Sequence, residues 1–128
     1  MDKPIPNTLF KTGEKIAQAY LASHGYLILS NNFRRRTGEI DIVARTENTL
    51  VFVEVKTRSY HSINSALANV GYTKQRKISI TAVEYINQFP ELGNLQTRFD
   101  VIVVFYNSRE DNYSVKHFID AFLPVCDD

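Results

Sequence analysis

The sequence GEIDIVARTENTLVFVEVKTR, residues 38–58, contains two apolar stretches with polar residues at a period of two, separated by a short polar break. Stretches rich in Val and Ile with this period are typical of β-strands, and the break over residues 46–49 has the length of a hairpin loop. We therefore predict a β-hairpin with Glu47 and Asn48 as its loop residues. Asn48 tolerates the left-handed backbone conformation that such turns need.

The predicted hairpin determines which side chains face each other. Asp41 falls opposite Glu54, and Glu39 falls opposite Lys56. Strand alternation then assigns each residue to one of the two faces of the sheet. The residues predicted for the charged face are Glu39, Asp41, Val43, Phe52, Glu54 and Lys56, and those for the opposite face are Ile40, Ile42, Val51, Val53 and Val55.

The opposed carboxylates of Asp41 and Glu54 suggest a metal site. Two carboxylates that face each other on a sheet repel, so the chain needs a compensating charge. A divalent cation such as Mg²⁺ suits this role because hard cations take carboxylate oxygens. The alternative is a solvated face with ordinary cross-strand ion pairs, in which Lys56 is the partner of Glu39. A register slip of one residue would also move Asp41 to the other face.

The composition indicates one domain spanning residues 1–128, with a core of ordinary size. Cys126 is the sole cysteine, which excludes an intramolecular disulfide and a multi-cysteine zinc site and fits a reducing cytoplasm. No apolar run has the length of a membrane span, and the first residues lack the pattern of a signal peptide. We therefore expect a cytoplasmic location and no membrane partner.

Positive charge is concentrated around the predicted hairpin. Residues 31–80 contain nine Lys or Arg and four Asp or Glu, whereas the rest of the chain contains six and ten. A basic half that also carries the candidate site suits a polyanion such as DNA, and bases in the first turn of a helix suit phosphate. Taken alone, the Arg34–Arg36 triplet fits a solvated turn better than a binding site, and Arg76 fits a solvated helix face. The predicted nucleic-acid-binding residues are Arg34, Arg35, Arg36, Arg58, Lys74, Arg76 and Lys77.

The rest of the chain adds two helices and three strands. Apolar residues at helical spacing predict helices over residues 8–24 and 73–88, with Thr73 as an N-cap and Pro90 as a stop. Strands are predicted over residues 26–34, 99–106 and 113–118, and residues 59–72 form a loop with a short helix. The first three strands make an antiparallel meander, and the helical crossover favours a parallel fourth strand.

Short motifs spread from Gly13 to Phe122 carry a resemblance to a known family. These motifs are Gly13-Glu14-x-x-Ala17, Asn32-Phe33-Arg34, Gly38-Glu39-Ile40-Asp41, residues 51–58, Lys74-Gln75-Arg76, Arg98-Phe99-Asp100-Val101 and Ala121-Phe122. They resemble the YraN-type family of small bacterial proteins, within the PD-(D/E)XK nuclease superfamily, and residues 59–72 match this family least. The resemblance implies an α/β, restriction endonuclease-like fold, related to Holliday junction resolvases, whose mixed sheet is flanked by helices.

The same resemblance implies roles for individual residues. Asp41 and Glu54 would bind Mg²⁺ or Mn²⁺, with the Val55 carbonyl as a further ligand. Lys56 would orient or deprotonate the attacking water and stabilise developing charge. The helical residues that would support catalysis are Glu14 and Gln75.

The resemblance and the charge pattern together predict a metal-dependent nuclease that hydrolyses DNA phosphodiester bonds, with branched recombination or repair intermediates among its candidate substrates. A phosphodiester is anionic and slow to hydrolyse, so a cation must polarise it and help to generate hydroxide. One alternative is a nucleic-acid-binding module without turnover. Another is a scaffold in a DNA repair or uptake complex that uses Ile80 and Val83 as a contact patch. A homodimer or a larger DNA-processing complex is compatible with each.

Overall fold

The computed structural model describes residues 7–59 and 69–125, so most of the predicted loop over residues 59–72 lies outside the described residues. The two long helices and five strands predicted from the sequence are present, with ends that differ by a few residues, whereas the short helix predicted within residues 59–72 falls largely outside the described residues. In chain order the elements are α1 (Asn7–Ser23), β1 (Leu27–Arg35), β2 (Gly38–Thr46), β3 (Thr49–Ser59), α2 (Tyr72–Gln88), a short 3-10 helix (Pro90–Asn94), β4 (Gln96–Asn107) and β5 (Asn112–Phe122).

The strands form one five-stranded sheet in the order β1-β2-β3-β4-β5. The first three strands pair antiparallel, β3 and β4 pair in parallel through the α2 crossover, and β5 returns antiparallel to β4. The two helices flank this sheet, which confirms the predicted restriction endonuclease-like α/β fold. No helix that the structure describes is both long enough and apolar enough to span a membrane.

The register of the β2–β3 hairpin is as predicted over its first half. Thr46 pairs with Thr49 across the loop, and Ile42 pairs with Val53. The left-handed loop residue is Glu47, with φ 51°, rather than Asn48. The backbone carbonyl of Asn48 accepts a 2.9 Å hydrogen bond from Gln96, which joins the loop to the start of β4.

Beyond the Ile42–Val53 pair, β2 and β3 diverge. The predicted Asp41–Glu54 and Glu39–Lys56 pairs do not form, because β3 follows β4 up to Ser59 while β2 stays with β1 down to Gly38. The side chain of Asp41 takes over the backbone contact, since its Oδ2 accepts a 2.8 Å hydrogen bond from the Val55 N–H. The hairpin therefore splits at the two acids instead of pairing them.

The predicted division into two faces holds with one exception. Phe52 and Val43 pack in the core layer below α2, and Ile42, Val51 and Val53 pack in the layer below α1. Ile40, predicted beside Ile42, lies instead in the α2 layer. The alternation breaks at Asp41, which lies between the β1–β2 pairs Asn31–Ile42 and Phe33–Ile40, and Asn32 of β1 has a left-handed φ of 54°.

Helix α2 covers one face of the sheet. Its apolar stripe is buried as predicted, with Ile78, Ala82 and Tyr85 inside. The predicted N-cap Thr73 is wrong: Gly71 occupies the N-cap position, and no side chain caps the helix. The hydroxyl of Thr37, in the β1–β2 turn, contacts Thr81 and donates to Glu84, each at 2.9 Å, and so ties the helix to that turn.

Helix α1 covers the opposite face and approaches β3 most closely at Gly13. A Cβ added to Gly13 would lie 2.2 Å from the hydroxyl oxygen of Thr57, whose side chain is buried. Thr57 is β-branched and has little rotamer freedom with which to retreat. Only glycine therefore lets α1 reach this depth, and Glu14 follows it directly.

We expect Gly13→Ala to destabilise the fold by roughly 1–3 kcal/mol, the usual cost of inserting a methyl group into a packed site. Urea unfolding followed by circular dichroism measures this change. The matched control is Gly93→Ala, where an added Cβ would make an ordinary contact of 3.8 Å with Ile86.

A double-mutant cycle with Thr57→Ala assigns the cause of this destabilisation. Removing the Thr57 hydroxyl should make Gly13→Ala less costly than in the wild-type background. Equal costs in both backgrounds would contradict the steric explanation.

Candidate functional site

A cavity of about 530 Å³ opens where β2 and β3 diverge, beneath the first turns of α2. Both predicted acids reach it, one from each strand, and α2 supplies two lysines. The lining residues are Gly38, Glu39, Asp41, Glu54, Gly71, Thr73, Lys74, Lys77 and Ile78.

Asp41 carries the most perturbed carboxyl group at this cavity. Burial and the neighbouring carboxylate of Glu54 raise the pKa of Asp41 to about 7, with smaller contributions in the same direction from Glu14 and Glu39. The hydrogen bond from the Val55 N–H opposes this rise without cancelling it. The site therefore holds a carboxyl group whose negative charge is not fully balanced near neutral pH.

Glu54 is almost fully buried, and its counterion comes from α2. The Lys74 ammonium lies 2.6 Å from Glu54 Oε1, and the exposed fractions of the two side chains are 56% and 8%. Lys74 was predicted to bind nucleic acid, and the structure places it on the acid that was predicted to bind metal. A buried carboxylate needs such a partner because an unpaired buried charge is strongly destabilising.

Glu14 also comes close to the opening between β2 and β3, although α1 packs on the face of the sheet opposite to α2. With its amide oriented to satisfy its hydrogen bonds, Asn32 donates to carboxylate oxygens of both Glu14 and Glu39 at 3.2 Å. Glu39 in turn forms a 3.1 Å ion pair with Arg34 of β1, so the alternative pairing of Glu39 with Lys56 is wrong. The sequence singles out Asn32 only through its place in a family motif, which does not indicate this bridging role.

Lys56 is engaged by a backbone carbonyl beside the site. Its ammonium donates a hydrogen bond to the backbone carbonyl of Asn69, which precedes α2. Burial lowers the pKa of Lys56, and the positive charges of Arg58 and Lys74 lower it further, against the opposing effect of Glu54. The structure thus brings Lys56 near the site but holds its amine on a loop carbonyl.

Gln75, predicted to support catalysis, has a structural contact at the start of α2. Its side-chain amide donates a 2.6 Å hydrogen bond to the carbonyl of Val70, and its backbone N–H bonds to Gly71. Gln75 does not line the cavity. Gln75 therefore holds the segment that leads into α2, the helix that carries Lys74.

Two of the seven predicted nucleic-acid-binding residues are at the cavity. Lys74 and Lys77 line it directly. Arg35 stacks over the Phe33 ring at 4.2 Å and bonds to Gln88 of α2. Arg58 donates to the carbonyl of Thr57, and Arg36 and Arg76 are exposed.

The donor set is suited to a hydrated hard cation rather than to a closed protein cage. Within residues 7–59 and 69–125, no three His, Cys, Asp or Glu side chains are grouped so that they could enclose a metal ion. Mg²⁺ keeps several waters and needs only one or two carboxylates, which Asp41 and Glu54 offer. The N–H and C=O of one strand residue point to the same edge, so the Val55 carbonyl also faces the opening between β2 and β3. These residues fit Mg²⁺ or Mn²⁺.

A second polar cluster lies outside the cavity, around the buried Asp100 of β4. Burial alone would raise the pKa of Asp100, but hydrogen bonds from His117, Arg98 and the Asp120 N–H outweigh it and lower that pKa. Arg98 binds both carboxylate oxygens at 2.8 Å, and His117 lies at 2.7 Å. This network joins β5 to β4.

We expect Asp41→Asn to stabilise the metal-free protein at pH 8 by roughly 2–4 kcal/mol. An acid whose pKa is raised on folding binds more protons in the folded state than in the unfolded state. The contribution of Asp41 to the stability of the wild type therefore falls as pH rises from about 4 through 7. Asn cannot ionise, yet it still accepts the Val55 hydrogen bond. Thermal and urea unfolding in EDTA at pH 5 and pH 8 measures the difference.

The control for this prediction is Glu91→Gln, an exposed acid in the 3-10 helix. It should show no comparable stabilisation at pH 8. If the difference in stability between Asp41→Asn and the wild type is the same at pH 5 and at pH 8, the predicted charge repulsion at the opening is contradicted.

Known sequences resemble this chain over most of its length. A model of the family described as "Uncharacterised protein family UPF0102" matches residues 13–104, which include the whole cavity lining. A UPF0102 protein of Clostridium botulinum (strain Loch Maree / Type A3) is 44% identical over 110 residues, covering 86% of this chain and 89% of the relative. A UPF0102 protein of Clostridium beijerinckii (strain ATCC 51743 / NCIMB 8052) is 38% identical over 120 residues, covering 94% and 97%. The chain therefore belongs to the UPF0102 family, the YraN-type family that its motifs resemble.

Proposed function

We propose that this protein is a metal-dependent nuclease that hydrolyses DNA phosphodiester bonds, with branched recombination or repair intermediates among its substrates. The observation that carries the proposal is the close pair of Asp41 and Glu54 in a cavity rimmed by lysines, where Glu54 contributes to the raised pKa of Asp41. In one cavity, the carboxylates suit a cation and the lysines suit a phosphate.

In this proposal Asp41, Glu54 and the Val55 carbonyl hold Mg²⁺ or Mn²⁺ at the split between β2 and β3. When bound, the cation would polarise the scissile phosphate and lower the pKa of the attacking water. Lys74 and Lys77 would contact the phosphate backbone from α2. Glu14 would act with Asn32 to orient polar groups at the side nearest α1.

Lys56 would take part only after a local rearrangement. Its ammonium would have to leave the Asn69 carbonyl to reach a water or phosphate above the two acids. This engaged lysine is the observation that favours the second candidate function, a DNA-binding module without turnover. We also propose a cytoplasmic location, and a homodimer or a DNA-processing complex as the assembly that acts.

A panel of substrates tests the proposed reaction. Linear duplex, single-stranded, flapped and four-way DNA are incubated with the protein and Mg²⁺ or Mn²⁺, and products are resolved on denaturing gels. We expect at least one DNA to be cut and Glu54→Gln to slow cutting by roughly a hundredfold or more, because metal stabilisation of the transition state amounts to several kcal/mol. The matched control is Glu47→Gln, the same change at the far end of the same hairpin.

The outcomes separate the two candidate functions. A cleavage rate of Glu54→Gln equal to that of the wild type would contradict the assigned site. DNA binding by the wild type without cleavage of any substrate under either metal would favour the binding module.

DNA affinity should fall steeply with salt, because lysine and arginine contacts to phosphate release counterions. With about four such contacts, affinity for a short duplex should fall roughly a hundredfold between 50 and 200 mM salt. Fluorescence anisotropy of a labelled duplex, in EDTA, measures it. Lys77→Ala should reduce the slope of the logarithmic plot by about one, whereas Arg109→Ala, in the exposed β4–β5 turn, should not change it. A slope near zero would exclude the lysine-bearing cavity as a DNA-binding surface.

A further inference from the structure

We propose that Lys74 is a built-in counterion that occupies Glu54 in the metal-free protein and is displaced when the divalent cation binds. This inference rests on the proposed metal centre and adds a competition between an ammonium ion of the protein and the metal for the same carboxylate. Its basis is the 2.6 Å contact between Lys74 and Glu54 at a cavity that also contains Asp41.

The two partners of this ion pair differ in how easily they can be separated. Glu54 is buried, so its carboxylate cannot be left without a positive partner. Lys74 is more than half exposed, so its ammonium regains water when it moves away. The pair is therefore stable until another cation reaches Glu54, and only the lysine needs to move.

The charge balance favours replacement of the lysine by a divalent ion. Lys74 contacts Glu54, whereas Asp41 receives a backbone N–H and is paired with no cation that the structure describes. One ammonium therefore serves one of two neighbouring carboxylates. A divalent ion held by both carboxylates would serve both.

The neighbouring lysines do not share this arrangement. Lys56 is engaged with the Asn69 carbonyl. Lys77 lies one turn after Lys74 and lines the same cavity, but it forms no ion pair within the described part of the chain. Lys77 therefore provides a matched control, because its removal changes the charge of the cavity without releasing Glu54.

Calorimetric titration of Mn²⁺ at pH 8 into the wild type, Lys74→Met, Lys74→Gln and Lys77→Met tests the exchange. Both Lys74 variants should bind Mn²⁺ about tenfold more tightly than the wild type, since the metal no longer has to break an ion pair with a buried carboxylate. Lys77→Met should tighten binding by no more than about twofold, the effect of one screened charge. In EDTA, both Lys74 variants should have lower melting temperatures than the wild type. Addition of Mn²⁺ should raise the melting temperatures of these variants by more than it raises that of the wild type.

The titration distinguishes a failure of the proposed exchange from a failure of the proposed metal centre. If the wild type binds Mn²⁺, Asp41→Asn abolishes binding and the Lys74 variants bind no more tightly, the exchange is overturned while the metal centre stands. Equal tightening in Lys77→Met and Lys74→Met would also overturn it, because the effect would then be one of net charge. If neither the wild type nor a Lys74 variant binds Mn²⁺, the metal centre and the exchange both fall.

Discussion

The hydrogen bond from the Val55 N–H to Asp41 is the contact on which the site depends. Strand β3 is paired with β4 along its whole length, but β2 leaves it after the Ile42–Val53 pair. A backbone N–H left without a partner at that point would cost about as much as a lost hydrogen bond. The Asp41 side chain supplies the missing acceptor with its Oδ2 atom. The same residue therefore satisfies the open edge of β3 and contributes to the cavity.

The two helices keep this opening in place from opposite faces of the sheet. Gly13 allows α1 to pack directly on Thr57, which brings Glu14 to the Asn32–Glu39 side. Contacts of Thr37 with α2 tie that helix to the β1–β2 turn. The sheet separates the two helices, and at the opening between β2 and β3 charged residues from both come near Asp41. Acids from β2, β3 and α1 and lysines from α2 therefore collect at one place.

The sequence predicted the sheet better than the site. Period-two alternation and the short loop define the hairpin register, and the strand–helix–strand order favours the parallel β3–β4 pair. The end of the β2–β3 ladder has no such signal, because a side chain replaces a backbone acceptor there. For the same reason Ile40 was assigned to the wrong face. The partner of Glu54 was also missed, since a lysine two residues along the strand is an obvious candidate, whereas Lys74 is brought close only by the packing of α2.

The arrangement of charge bears on the choice between an enzyme and a simple DNA-binding module. Binding a polyanion requires only cations, and carboxylates beneath them repel phosphate and reduce affinity. In this protein the cavity that carries Lys74 and Lys77 also contains Asp41 and Glu54, and Glu54 pairs with Lys74, which could otherwise contact DNA. Departures from a locally favourable arrangement are expected where function requires them. A cation between the acids would remove the repulsion, release Lys74 and give the cavity a single positive character toward phosphate, which favours the metal-dependent enzyme.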